Sequence, residues 1–119
     1  MTPNYKEQFK IKVRESSISQ AKHLVIKSLL VLLIKIKHKN KVIVETERNL
    51  GKGIICDVFQ KLPKQKPIAY EVQKEVTKNW QKETLEKYSN IDVDLVLIKL
   101  KDFSNDYIEI IKKLGDLVI

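Results

Sequence analysis

The sequence predicts an α/β domain in which a helix, a three-strand meander, a helix, a strand and a last helix build one mixed sheet with helices on both faces. Three observations carry that expectation. Residues 16–37 place apolar side chains at helical spacing. Residues 41–73 hold three short β-type segments separated by turn chemistry. Residues 93–100 are almost continuously apolar and follow a second helical pattern, which reads as a strand buried on both faces and parallel to its neighbour.

At 119 residues the chain suffices for one core and not for two, so residues 1–119 form a single domain. Residues 1–14 are polar and read as a flexible segment or, through the alternation Phe9-Lys10-Ile11-Lys12-Val13, as a short edge strand. In the first helix, Ser17 and Gln20 have the spacing of a capping box. Ile18, Ala21, Val25, Leu29, Leu32 and Ile36 recur along one stripe, and Leu24, Leu30, Leu33 and Ile34 widen it. A helix apolar over most of its circumference packs against a sheet. Lys22, Lys27 and Lys35 form its wetter side, where His23 reads as a surface histidine.

The basic stretch 35–41 ends this helix. It reads either as a solvated terminus whose cations complement the helix dipole or as a phosphate-contacting rim. Residues 41–48 alternate around Val42, Ile43 and Val44, residues 49–53 are a turn, and residues 53–62 are the second strand. A basic turn closed by prolines leads to the third strand, 68–73. Short turns make these three strands antiparallel. The helix 74–88 aligns Val76, Trp80, Thr84 and Tyr88, with Trp80 and Tyr88 read as core or interface before base-stacking platform. After the strand 93–100, Ser104 caps a last helix with Ile108, Ile111 and Leu114 on one face. Gly115 stops it, and residues 117–119 add a short end strand.

Composition narrows the function. Apolar residues are 43% of the chain and charged residues 32%, a globular balance. Lys and Arg outnumber Asp and Glu by 23 to 15, a net charge of +8, which suits a polyanionic partner such as DNA. All but Arg14 and Arg48 of these cations are Lys, so genome composition or a hot habitat explains the bias as well, and a membrane surface is a weaker alternative. Cys56 is the only cysteine, which excludes a disulfide framework and a Cys-rich zinc site. His23 and His38 have no ligand spacing for zinc. The polar first residues do not read as a signal peptide, so none is expected, and the apolar run 29–34 is far below the ~20 residues a bilayer requires. A soluble, intracellular protein is expected.

Side chains in a strand alternate faces, so Glu71 and Gln73 share a face with Ala69, while Asp57 shares one with Ile55 and Phe59. A carboxylate amid Ile54-Ile55-Cys56-Asp57-Val58-Phe59 is costly to bury unless paired or bound to a metal, and so is Glu71 between Tyr70 and Val72. On adjacent strands the two can approach, and at close range they repel unless a divalent cation lies between them. The plainer alternative is that Asp57 caps, or pairs with, a Lys at a strand end. Glu45 and Glu47 read as a solvated face.

Cys56-Asp57-Val58 followed after thirteen residues from Asp57 by Glu71-Val72-Gln73, in this element order, resembles the PD-(D/E)XK superfamily of restriction-endonuclease-like nucleases. The acid-X-Glu-X-Gln form is similar to its competence-protein CoiA-like and archaeal or archaeal-virus branches, and the size to Holliday-junction resolvases. The resemblance implies an αβββαβ core, a central mixed sheet flanked by helices, and a metal-dependent deoxyribonuclease. It implies that Asp57, Glu71 and the Val72 carbonyl hold Mg²⁺ or Mn²⁺, that Gln73 orients the attacking water, and that Glu15 reaches the metal through water. Cys56 stands where the motif has Pro, a position that only shapes the strand. Gln73 stands where it has Lys, so a Lys from elsewhere is expected to compensate, Lys74 or Lys78 being candidates. Lys35, Lys37, Lys39, Lys41, Lys52, Lys64, Lys66, Lys74 and Lys78 are the expected DNA contacts, and a resolvase-type enzyme implies a homodimer. The alternatives are a non-catalytic basic DNA-binding protein on the same fold, and a structural subunit using the Trp80/Tyr88 face.

Overall fold

Ser17 opens the first helix in the computed structural model, which describes residues 17–119. Its hydroxyl accepts the Gln20 amide while the Gln20 side chain returns to the Ser17 backbone, so both halves of the expected capping box are made. The helix, α1, spans Ile18–His38 and ends on Lys35, Lys37 and His38, whose charges suit its carbonyl terminus. Ile26, Leu29, Leu30 and Ile34 form its buried stripe, whereas Ile18, Leu24, Val25, Leu32 and Ile36 are exposed. The packed face is therefore narrower than the apolar pattern implied. The alternating segment 9–13 and Glu15 lie outside the described residues.

A 3-10 turn, Lys39–Lys41, leads to β1 (Ile43–Asn49). Asn49 then accepts the Gly51 amide through its side chain, and Gly51, Lys52 and Gly53 all have positive φ, which makes glycine the natural residue at two of the three positions. The strands β2 (Ile55–Lys61) and β3 (Ile68–Gln73) follow. The second helix, α2 (Lys78–Tyr88), starts four residues later than the sequence pattern suggests, because the Thr77 hydroxyl accepts the Trp80 amide and caps it there. The last strand is β4 (Asp94–Lys99), with a 3-10 turn at Leu100–Asp102. The last helix, α3 (Tyr107–Leu117), is capped by Asp106 and not by Ser104, since the Asp106 carboxylate accepts two amides, those of Ile108 and Glu109. The helix runs through Gly115, and residues 118–119 extend it as irregular chain; the expected end strand is absent.

The sheet order is β1-β2-β3-β4, with the first two pairings antiparallel and β3–β4 parallel. This is the α/β class and mixed sheet the sequence predicts. One apolar cluster joins Ile26, Leu30 and Ile34 of α1 and Ile110 and Leu114 of α3 to Val58, Tyr70, Val72 and Ile98 of the sheet. A smaller cluster on the opposite face joins Tyr88 of α2 to Cys56, Phe59 and Ala69. Helices thus cover both faces. Among the described residues no helix is long and apolar enough to cross a membrane.

Candidate active site

The pairing of β2 with β3 covers Val58↔Tyr70, Phe59↔Ala69 and Gln60↔Ile68 and then stops. One step further along the same register Asp57 faces Glu71, and there a side chain takes over from the backbone: the Val72 amide donates to Asp57 Oδ2 at 2.7 Å. The β1–β2 ladder skips the same place, where Glu47 stands opposite Asp57 with φ of 52°. Strand alternation breaks here too. Cys56 packs on the Tyr88 side of the sheet and Val58 on the α1 side, while Asp57 is approached from α1. His23 Nε2 lies 3.8 Å from Asp57 Oδ2 and Lys27 Nζ 3.9 Å from Asp57 Oδ1. The Lys27 ammonium also bonds Glu47, and its side chain is only 13% exposed. Pairing of Asp57 with a Lys, the plainer alternative, is thus partly realised.

Glu71 is half-buried and accepts a hydrogen bond from the Tyr88 hydroxyl. Burial pushes its carboxyl up to about 7; the Tyr88 hydrogen bond opposes that rise and the neighbouring Asp57 adds to it. Tyr88 itself is held protonated, first by burial and then by Glu71. Behind them the Cys56 thiol is pushed up to about 11, again by burial first and Glu71 second, which keeps it an inert core group. Val72 is engaged at both polar ends, its amide by Asp57 and its carbonyl by His23 Nε2 at 3.0 Å.

Asp57, Glu71 and the Val72 carbonyl are all oxygen donors, and the Glu71 carboxyl, raised first by burial and further by Asp57, is a group whose charged form a cation would favour. Among the described residues no group of three His, Cys, Asp or Glu side chains is arranged to hold a metal ion. A cation at this place would have two carboxylates and a carbonyl as its protein donors, with water or phosphate left to supply the rest. That donor set fits Mg²⁺ or Mn²⁺, and not zinc.

The other expected residues divide by position. Gln73 and Lys74 line a cavity with Ser19, Gln20 and His23, the last of which approaches Asp57. Lys52 is at the β1–β2 tip and Lys78 opens α2. Lys64 and Lys66 occupy the β2–β3 turn at the opposite end of the sheet from Asp57, where Lys66 meets Asp92 at 3.4 Å and Asp94 at 3.5 Å. Lys35, Lys37, Lys39 and Lys41 belong to that far end as well, because they precede Ile43, which pairs with Lys61. Lys35 is tied to the Val42 carbonyl and Lys37 to that of Val118. These six lysines are therefore not gathered round the carboxylates.

The Lys that reaches Asp57 is Lys27, not Lys74 or Lys78. Lys27 and His23, expected on the wetter surface of the helix, instead turn toward Asp57 and are partly buried, their i, i+4 spacing setting them on one helical face next to the buried stripe. No protein-family model matches the chain. Comparison with curated proteins finds no match either.

Proposed function

We propose that the chain is a metal-dependent nuclease that hydrolyses DNA phosphodiesters on a restriction-endonuclease-like αβββαβ core. The observation that carries this reading is Asp57 facing Glu71 where the β2–β3 ladder opens, with Glu71 pushed up to about 7. The order α1, β1–β3 meander, α2 and parallel β4 supports it. Mg²⁺ or Mn²⁺ held by Asp57, Glu71 and the Val72 carbonyl would activate a water and neutralise charge on the scissile phosphate. Tyr88 holds Glu71 in place through its hydroxyl. Gln73 would orient the water but carries no charge, and Lys27 beside Asp57 supplies the cation that the motif otherwise has there. Glu15 would act through water.

The test incubates the protein with branched, single-stranded and duplex DNA, with Mn²⁺ and with EDTA. Cleavage that requires Mn²⁺ and disappears in Asp57→Ala and in Glu71→Ala is the expected result. Lys27→Met should lower the cleavage rate by about 10²-fold, the order of one lost electrostatic group at a transition state. DNA binding without cleavage under every condition would overturn the reading and leave a non-catalytic DNA-binding protein.

A further inference from the structure

Two cavities lie along the N-terminal half of α1, one of them reaching His23 beside Asp57. The first, about 220 Å³, is bounded by Gln20, His23 and Gln73. The second, about 270 Å³, is bounded by Lys22, Lys101 and Asn105. Ser19, Lys74 and Leu100 line both, so the two are halves of one cleft. It lies between the N-terminal half of α1 and the carboxyl ends of β3 and β4, the edge of a parallel pair where α/β folds habitually bind ligands.

Its inner end is His23, whose Nε2 is 3.0 Å from the Val72 carbonyl and 3.8 Å from Asp57. Its outer wall carries Lys22, Lys74 and Lys101. Among the described residues no acidic side chain lines either half. Lys22 is anchored on the Phe103 carbonyl, and Lys101 is set by Glu75 at 2.7 Å. The ammonium groups of Lys22, Lys74 and Lys101, the last of them paired with Glu75, border a crevice whose inner end, His23, is 3.8 Å from Asp57, an arrangement that suits phosphates approaching that carboxylate. Ser19, Gln20, Gln73 and Asn105 between them offer both donors and acceptors to base edges. Each half, at about 220 and 270 Å³, is on the scale of a single nucleobase with its sugar, which favours one strand over a base pair.

We infer that this cleft binds single-stranded DNA, with Lys22, Lys74 and Lys101 on its phosphates, and leads the strand to Asp57 and Glu71. Delivery to the carboxylates rests on the nuclease reading; binding in the cleft does not. The substrate class is then a single strand or the unpaired end of a duplex.

The experiment measures fluorescence anisotropy of a labelled oligothymidylate and of a blunt hairpin duplex, with the full chain in EDTA. The single strand should bind about tenfold tighter than the duplex, with a steep salt dependence. Lys74→Glu and Lys101→Glu should each weaken single-strand binding about tenfold and lower the salt slope by about one. Ser19→Trp, which fills the junction of the two halves, should weaken it too while the thermal midpoint holds. Lys82→Glu, exposed on α2 across the sheet, should leave it unchanged. Equal affinity for duplex, or a Lys74→Glu loss no larger than that of Lys82→Glu, overturns the cleft. Cleft-dependent binding without cleavage in Mn²⁺ would remove the nuclease reading and leave the cleft standing. Cleavage undiminished in Lys74→Glu and Ser19→Trp would do the reverse.

Discussion

A half-buried carboxyl with a neighbouring carboxylate makes Glu71 the most informative single residue. Its folded value of about 7 lies above the ordinary 4.5, so the protonated form is favoured by folding. Stability from that source is complete below pH ~4.5 and is lost as the pH rises through about 7. Glu71→Gln, which keeps an acceptor for Tyr88 and removes the charge, should match the wild type near pH 5. It should exceed the wild type by roughly 2 kcal/mol at pH 8, as read by urea unfolding. Mn²⁺ should narrow that gap by stabilising only the wild type. Asp57 and Glu71 stood out in the sequence because the cost of burying charge is a local rule, although alternation assigned Asp57 to the face of Phe59 and the structure turns it toward α1. Lys27 and His23 did not, since which side of α1 looks at Asp57 depends on how the helix docks on the sheet. The local break of alternation at Asp57 was equally hidden, as nothing in Ile-Cys-Asp-Val announces it.

For whole elements the agreement follows the length of the periodic pattern. The strand 68–73 falls where alternation places it, and α1 differs by a residue or two at each end. Short-range chemistry decided the misplaced ends. Asp106 outcompetes Ser104 at the start of α3 because one carboxylate oxygen serves two amides, at 2.9 and 3.2 Å. Asp106→Ala should therefore cost about 1 kcal/mol in chemical denaturation. Gly115 does not stop α3; the helix continues because Leu114, Leu117 and Val118 still have core to bury. A methyl group at Gly115 would meet nothing within 4 Å. Gly115→Ala should raise stability by about 0.5–1 kcal/mol, visible as a higher melting temperature. A fall in stability would show that glycine is required there after all.

Across the whole molecule the two ends of the sheet differ in kind. One end carries the carboxylates and the cleft. At the other, the buried Tyr70 hydroxyl donates to Gln60 at 2.9 Å and accepts the Ile119 amide, while the Gln60 side-chain amide donates to the Ile119 carbonyl. Tyr70→Phe leaves Gln60 and Ile119 each short of a partner, and should cost about 1–3 kcal/mol without altering metal-dependent cleavage. Lysines that are neighbours in sequence were sorted between these ends by topology, which is why a list of basic residues could not delimit an interface. The parallel pairing has a further, temporal consequence. Each β3–β4 partner pair is 26 residues apart, as Ile68↔Asp94 shows, against 8 to 12 residues for β2–β3. Closing the larger loop is entropically dearer, so the meander is expected to condense ahead of β4. The carboxylate pair belongs to that early nucleus, whereas Leu100 and Lys101 reach the cleft only when the last strand docks. A nascent or partly unfolded chain would then hold its acids together before it has any groove to guide a strand to them.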